Sequence, residues 1–369
     1  MAHDSGWNGP HAGGPHAGPP PPPPPGWPGS GWMPPPPPPK PGVIPLAPMS
    51  LSDILGGTFT TMGRYWKQLF GIAVLIYGGA LLLVGATVAI AYSATSDSLD
   101  KLVHNSGEYD DSFGSDLVAP LVIAFGVVCV VAVLAMVIAN AAIMAACPAV
   151  LQDAVLGRRT TIGTVWRRAW PRVPAVIGAM LLPWIAWALI MGVFMASYVA
   201  LIVSFVSDDA STAWAVLGFL LMIALIPVAV WVWVLFSLAP AAVVFESQGP
   251  VAALRRSARL VKGGWWRVFG ISMLAWFIAM IAGYIIQFPL TIIGMMTSMP
   301  GMAEMGPDAS VTDTLTAMAS YMVFIMLGSI ISQIVATTFP QVVTGLLYVD
   351  QRIRKENLAP ALVEAAAAQ

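Results

Sequence analysis

Charged residues are missing from this sequence in long blocks. Residues 68–96, 117–152, 173–207, 210–245, 268–303 and 314–349 contain no Asp, Glu, Lys or Arg. A helix rises about 1.5 Å per residue and a bilayer's hydrocarbon core is about 30 Å thick, so about 20 apolar residues cross it. Every block exceeds that length, which implies tilt or helix continuing past the membrane face. Segments so long, rich in Leu, Ile, Val, Ala and Met, do not suit outer-membrane strands, which need only about ten residues of alternating character. The chain therefore reads as an all-α integral membrane protein of six transmembrane helices, over about 69–92, 117–147, 175–206, 214–244, 268–292 and 316–347.

Composition agrees, with 57% hydrophobic and only 9% charged residues among 369. The 17 basic and 18 acidic residues leave a net charge of −1, so no global positive field exists to hold nucleic acid. The basic residues are instead segregated. Lys40, Arg64 and Lys67 precede the first span; Arg158, Arg159, Arg167, Arg168 and Arg172 fill the second loop. Arg255, Arg256, Arg259, Lys262 and Arg267 fill the fourth, and Arg352, Arg354 and Lys355 follow the last span. The intervening loops hold only Lys101 among basic residues, but carry Asp97, Asp100, Glu108, Asp110, Asp111, Asp116, Asp208, Asp209, Glu304, Asp308 and Asp313. By the positive-inside rule this is a multi-pass plasma-membrane protein with both termini cytoplasmic. No charged n-region leads into an early apolar core, so the first span is expected to act as its own insertion signal. Cys129 and Cys147 both fall in the second span; on one helix they lie about 27 Å apart and cannot pair.

Three organisational features accompany the spans. Residues 1–48 hold nineteen of the 32 prolines, with runs at 19–25 and 34–39. Such a segment cannot bury enough apolar surface to fold and should sample polyproline II. Trp7, Trp27 and Trp32 each follow a glycine, which makes this disordered cytoplasmic arm a spacer or a docking segment for a protein partner. His11 and His16 in this flexible arm fall short of a metal site.

The second feature is periodic. Gly71, Gly178 and Gly270 mark the start of the first, third and fifth spans, behind aromatic-basic clusters such as "RYWKQLFG" and "WWRVFG", and Pro148, Pro240 and Pro340 mark the exits of the second, fourth and sixth. A period of about one hundred residues with matched signals at both ends argues for three copies of a transmembrane hairpin.

The third feature precedes each hairpin. Leu51, Ile54, Leu55, Met62, Tyr65 and Trp66 share one helical face, with Ser50 and Asp53 spaced as a capping box. Ile162, Val165, Trp166, Ala169, Trp170 and Val173 form a second face, and Val251, Leu254, Ala258, Val261 and Trp265 a third. Arg159, Arg167 and Arg168, and Arg255, Arg256, Arg259 and Lys262, occupy the opposite sides. Helices with tryptophans on one side and arginines on the other lie in the membrane interface. Their cations would contact anionic lipid headgroups, at about 1 kcal/mol per basic residue. A C-terminal cytoplasmic tail, 350–369, completes the chain.

Inside the spans no ionisable group marks an ion pathway. Asn140, Gln287 and Gln333 are the polar residues at intramembrane positions, expected to make interhelical hydrogen bonds of about 0.6 kcal/mol. Gly71, Gly78 and Gly85 recur every seventh residue and predict a groove for a neighbouring helix. Pro183, Pro227 and Pro289 predict kinks, or unwound segments of the kind that surround transported ligands. His3, His11, His16 and His104 lie in the arm or a loop, and no metal cluster, nucleophile elbow or phosphate loop occurs. The acid pairs Asp110 with Asp111 and Asp208 with Asp209 read as outside charge bias. The chain is therefore expected not to be an enzyme and to need no cofactor or metal.

The stretches "PGVIPLAPMSLSDILGGTFTTMGRYWKQLFGI" (41–72), "VFESQGPVAALRRSARLVKGGWWRVFGI" (244–271) and "LLYVDQRIRKENL" (346–358) resemble an actinobacterial group of multi-spanning proteins. That group is itself similar to the glycerophosphoryl diester phosphodiesterase membrane domain. In those phosphodiesterases the membrane module accompanies a catalytic barrel with Glu, Asp and His metal ligands. Nothing like the barrel occurs in this sequence, so the resemblance implies the membrane architecture without the hydrolase. The reading that follows is a non-catalytic plasma-membrane protein organising lipids or protein partners through basic interfacial helices and the Pro-rich arm. The alternatives are a carrier or flippase-like transporter of a hydrophobic or lipidic solute, and an accessory membrane subunit of a separately encoded enzyme.

Overall fold

The computed structural model describes residues 43, 45, 47–104, 115–206, 212–303, 311–356, 360 and 364. The expectations for the Pro-rich arm, for His3, His11 and His16, for the pairs Asp110/Asp111 and Asp208/Asp209, and for most of the tail past 356 lie outside the described residues.

Ten α-helices follow in order among the described residues: α1 (Leu51–Arg64), α2 (Trp66–His104), α3 (Ser115–Val155), α4 (Ile162–Ala169), α5 (Val173–Val206), α6 (Thr212–Phe236), α7 (Ala239–Glu246), α8 (Pro250–Val261), α9 (Trp265–Ala303) and α10 (Val311–Glu356). No strand occurs among the described residues. Six helical stretches are long and apolar enough to cross a membrane: Trp66–Ser98, Val118–Val155, Ile162–Val203, Val216–Glu246, Trp265–Met299 and Tyr321–Glu356.

Local sequence sets the helix starts. Ser50 caps α1: its hydroxyl accepts the Asp53 backbone N–H at 3.2 Å, while the Asp53 carboxylate accepts the Ser50 N–H at 2.9 Å, the expected reciprocal box. Thr161 and Thr164 cap α4 in the same way. α4 then runs through a single 3-10 turn, Trp170–Arg172, into α5. Gly263, at φ +83°, supplies the left-handed turn between α8 and α9 that a Cβ would strain.

α2 lies along α3, α5 along α6 and α9 along α10 in the three most extensive helix contacts. The buried core is concentrated at one end of these pairs. It is built from Ala139 to Val155 on α3, from α7, from Phe339 to Ile353 on α10, and from the first turns of α2, α5 and α9. We term this the basic end, because α4, α8 and the end of α10 bring the arginines there. The opposite halves show apolar side chains outward, with Leu82 at 75% and Phe125 at 71% exposure. Outward leucines are no liability where hydrocarbon is the solvent, and helix association there relies on close fit between small residues. Six alanines between 139 and 149 on α3 are buried, and Gly345 of α10 sits where a Cβ would stand 2.7 Å from Leu151 Cδ2.

Several expectations change. Gly71 does meet a neighbour, its Cβ position lying 3.1 Å from Ile162 Cδ1, but at Gly78 and Gly85 a Cβ would meet nothing within 4 Å. The groove they form faces outward, away from any helix. Gly178 lets α8 approach, with Pro250 Cγ 2.7 Å from its Cβ position, while Gly270 has open space. Helix runs unbroken through Pro183, Pro227 and Pro289, so no segment is unwound there. The interruption in this part of the chain is at Ser237 and Leu238, between α6 and α7.

The expected faces of the short amphipathic helices are buried in part: Ile54, Tyr65, Val165, Ala169, Val173, Leu254 and Val261 face the core, while other members of the same faces do not. α1 buries Ile54, Gly57, Thr58 and Thr61 and leaves Leu51 exposed; Tyr65 just past it is buried and Trp66, the first residue of α2, is exposed. α8 buries Ala253, Leu254, Ser257, Leu260 and Val261 and leaves Val251 exposed. These helices pack on protein through small residues as well as large apolar ones.

Candidate functional site

The ends of α3, α7 and α10 each present a carboxylate at the basic end: Asp153, Glu246 and Asp350. Each carboxylate ends or immediately follows one of the charge-free blocks, so the membrane-crossing helices deliver it to the same layer. Each meets arginines there.

Arg168 of α4 donates Nη1 to both Asp153 oxygens at 3.3 Å. Two further bonds tie the start of α2 to the α3–α4 loop: the Tyr65 hydroxyl donates to the Arg158 carbonyl and Gln68 Nε2 to the Thr160 carbonyl, both at 2.8 Å. Burial pushes the Tyr65 phenol above its ordinary range, with Arg64 opposing and Asp153 adding to the effect.

Glu246 accepts from Arg256 Nε at 2.9 Å and from the Tyr348 hydroxyl in a short contact, with Arg352 Nε 3.5 Å away. Arg256 also donates Nη2 to Glu356 at 2.6 Å, and Arg352 Nε donates to the same carboxylate at 3.0 Å. Burial opposes the Arg256 charge, but the hydrogen bonds and attraction of Glu356 and Glu246 outweigh it and hold the guanidinium more firmly protonated than usual. This network fastens α8 to α7 and α10.

Asp350 is fully buried. Its carboxylate accepts the Met49 backbone N–H at 2.8 Å, Arg267 Nη2 at 2.9 Å and Arg354 Nε at 3.0 Å. Arg267 and Arg354 in turn donate to the Met49 carbonyl at 2.6 and 2.7 Å. Both backbone polar groups of one residue before α1, Met49, are thus held by the end of α10 and the start of α9. Sequence reading missed these three acidic hubs, although their position at the block ends is the signal that marks them.

The seven cations expected to meet lipid divide into two sets. Arg256 is an internal strut, its side chain 16% exposed, and Arg168 is committed to Asp153. Arg159, Arg167, Arg255, Arg259 and Lys262 are exposed and enter none of the ion pairs found among the described residues. Beside them Trp166 and Trp170 stack with centroids 4.8 Å apart, and Trp266 is 78% exposed. Between α3, α4, α7 and α10 opens a cavity of about 360 Å³ whose charged lining is Arg158, Arg168, Arg352 and Asp153.

Two of the three intramembrane polar residues, Asn140 and Gln333, meet at Tyr77, and Gln287 does not join them. Asn140 accepts from the Tyr77 hydroxyl at 3.2 Å and donates to the Met136 carbonyl at 2.9 Å. Thr337 Oγ1 is 3.3 Å from the same hydroxyl, whose one proton serves one acceptor at a time. Gln333 lines a small cavity with Tyr77. Gln287 stands apart, donating to Thr291 at 3.4 Å and lining a separate cavity with Ser332. Tyr77 and Thr337 were not foreseen as partners, since a lone Tyr or Thr in an apolar run carries no period of its own.

Neither arrangement resembles a catalytic constellation, and no group of three or more His, Cys, Asp or Glu suited to a metal occurs among the described residues. A family model described as a domain of unknown function, DUF7847, matches residues 69–350, from the first long apolar helix to the last. No curated protein matches the chain, and no solved structure does.

Proposed function

We propose, for a chain that belongs to the DUF7847 family of unknown function, a non-catalytic role in organising anionic lipids at the cytoplasmic face of the plasma membrane. The observation that carries this reading is the set of exposed cations Arg159, Arg167, Arg255, Arg259 and Lys262 on and beside α4 and α8, which form no ion pair among the described residues. Five cations at about 1 kcal/mol each near an anionic surface amount to about 5 kcal/mol of attraction at low salt, enough to enrich anionic lipid around the protein.

In this reading the chain is three hairpins in sequence, α2–α3, α5–α6/α7 and α9–α10, each preceded by a short helix. Asp153 engages Arg168 of the next unit and Glu246 engages Arg256 of the next, while Asp350 closes the series on Met49 before α1. The acids fix each short helix against the bundle and leave its remaining cations turned outward. The positive-inside bias puts this end in the cytoplasm. The Pro-rich arm would offer a docking segment to a protein partner.

The test is a flotation or nanodisc reconstitution in mixed phosphatidylglycerol and phosphatidylcholine, with retained lipid measured by mass spectrometry. Substituting Arg255→Gln, Arg259→Gln and Lys262→Gln together should cut phosphatidylglycerol enrichment while the fold survives, because none of the three joins an ion pair. Unchanged enrichment would overturn the reading.

A further inference from the structure

A cavity of about 430 Å³ lies within the bundle where α3, α5, the α6–α7 break, α9 and α10 converge. Its walls are apolar and aromatic, including Trp184, Trp187, Trp233, Trp276, Met180 and Met191. Trp184 and Trp276 on its rim are about half exposed, and both stand on helices long and apolar enough to cross a membrane, so an opening between them would face lipid. Its size is that of a small-molecule site.

The polar groups on its lining are the informative part. Ser237, Ser272, Gln341 and Thr344 line it, and no charged residue does. Ser237 and Thr344 satisfy their hydroxyls on the carbonyls of Val234 and Pro340. Ser272 does not: it is 4% exposed, and its Oγ has no hydrogen-bond partner. A helical serine ordinarily bonds back to the preceding turn, and an unmade hydrogen bond is costly in a hydrocarbon setting. Ser272 is therefore an unmet donor in the cavity wall, closed off in this rotamer, and a turn of its side chain brings it to a group that enters the cavity.

Depth selects the chemistry. Ser272 is five residues past Arg267 and Thr344 six residues short of Asp350, so they lie about 7–9 Å below the charged layer. At that depth a phosphate, carboxylate or ammonium would be buried without a counter-charge. An uncharged head with several hydrogen-bonding oxygens is compatible.

We propose that this cavity is a binding site for a neutral glycerolipid of the diacylglycerol class. The acyl chains lie along the tryptophan and methionine walls and leave through the lateral opening. The free hydroxyl and ester oxygens meet Ser272 and Gln341. The site is independent of the anionic-lipid role argued above, since it uses none of the exposed cations.

The experiment reconstitutes the full chain in nanodiscs with a trace of diazirine-bearing diacylglycerol, or phosphatidylglycerol or free fatty acid carrying the same photoreactive chain. Adducts formed on irradiation are mapped by peptide mass spectrometry. Diacylglycerol should label the α5 and α9 peptides around Trp184 and Trp276 more strongly than either other probe. Ser272→Ala should lower that yield about three- to tenfold, the range for one lost hydrogen bond. Ala188→Trp, at a lining position on the lipid-facing side, should fill the cavity and remove the adducts, with size-exclusion and circular dichroism checking the fold. Arg255→Gln/Arg259→Gln/Lys262→Gln should leave them unchanged, which separates this site from the surface role. Equal labelling by phosphatidylglycerol or fatty acid, or a yield indifferent to both Ser272→Ala and Ala188→Trp, would overturn the proposal.

Discussion

If Arg256 is the strut that fastens α8 to α7 and α10, then Arg256→Gln should destabilise the protein while Arg255→Gln, one residue away, should not. Breaking a buried ion pair by removing one partner costs about 3–5 kcal/mol, chiefly because the other charge is left buried. Arg256 has a side chain 16% exposed and bridges Glu246 and Glu356. Glu246 keeps the Tyr348 hydroxyl and Arg352 at 3.5 Å, and Glu356 keeps Arg352 at 3.0 Å. Arg256 and Glu246 are only partly buried and Glu356 is exposed, and these partners remain, so the loss should fall below that range, at about 1–2 kcal/mol. Arg255 is exposed and outside the network, so its substitution should stay within about 0.5 kcal/mol. The assay is reversible unfolding in mixed micelles followed by tryptophan fluorescence, run as a cycle with Glu356→Gln and the double variant. A coupling of about 1 kcal/mol or more between Arg256 and Glu356 is expected. Additivity within about 0.5 kcal/mol would refute the strut.

Other perturbations follow from single contacts. Asp350→Asn should loosen the segment before α1, because the buried carboxylate that holds the Met49 N–H and two arginines loses its charge; limited proteolysis should then cut near residues 43–50 faster than in the wild type. Gly178→Ala should cost about 1–3 kcal/mol, since a Cβ would press on the rigid Pro250 ring at 2.7 Å, whereas Gly270→Ala, with nothing within 4 Å, should be neutral or slightly stabilising in the same unfolding assay. Tyr77→Phe removes the donor shared by Asn140 and Thr337 and should cost only about 0.6 kcal/mol, the average for an interhelical hydrogen bond in a membrane; a loss above about 2 kcal/mol would mean the cluster does more than join helices.

The number and approximate bounds of the six long apolar helices were legible in the charge-free blocks, because excluding charge from hydrocarbon is the strongest constraint a membrane places on sequence. The Ser50–Asp53 cap was legible for a similar reason: it is local, and four residues contain all its partners. The faces of α1 and α8 were legible only in part: Ile54, Leu254 and Val261 are buried as expected, while Leu51 and Val251 are exposed. Apolar periodicity assumes burial against lipid or a core of large residues, whereas these helices also bury Gly57, Thr58 and Ala253 where close approach to another helix decides the rotation. Gly78 and Gly85 misled in the opposite sense, since a small-residue stripe permits a neighbour without requiring one. At the basic end, the sequence displayed the arginines but not their division. Whether Arg256 turns inward or Arg255 outward depends on where Glu246 and Glu356 stand, a relation across 10 and 100 residues that no local pattern encodes.

The measurement that tests the central claim most directly is the lipid selectivity of the protein's boundary shell, read by spin-labelled phosphatidylglycerol against spin-labelled phosphatidylcholine across a salt series. Raising ionic strength from about 0.01 M to about 1 M shortens the screening length from about 30 Å to about 3 Å. The account predicts a marked phosphatidylglycerol preference at low salt that falls steeply along the series and is largely absent when Arg159, Arg167, Arg255, Arg259 and Lys262 are all replaced by Gln. A shell with no anionic preference at low salt, or a preference that survives both high salt and the five substitutions, would contradict it.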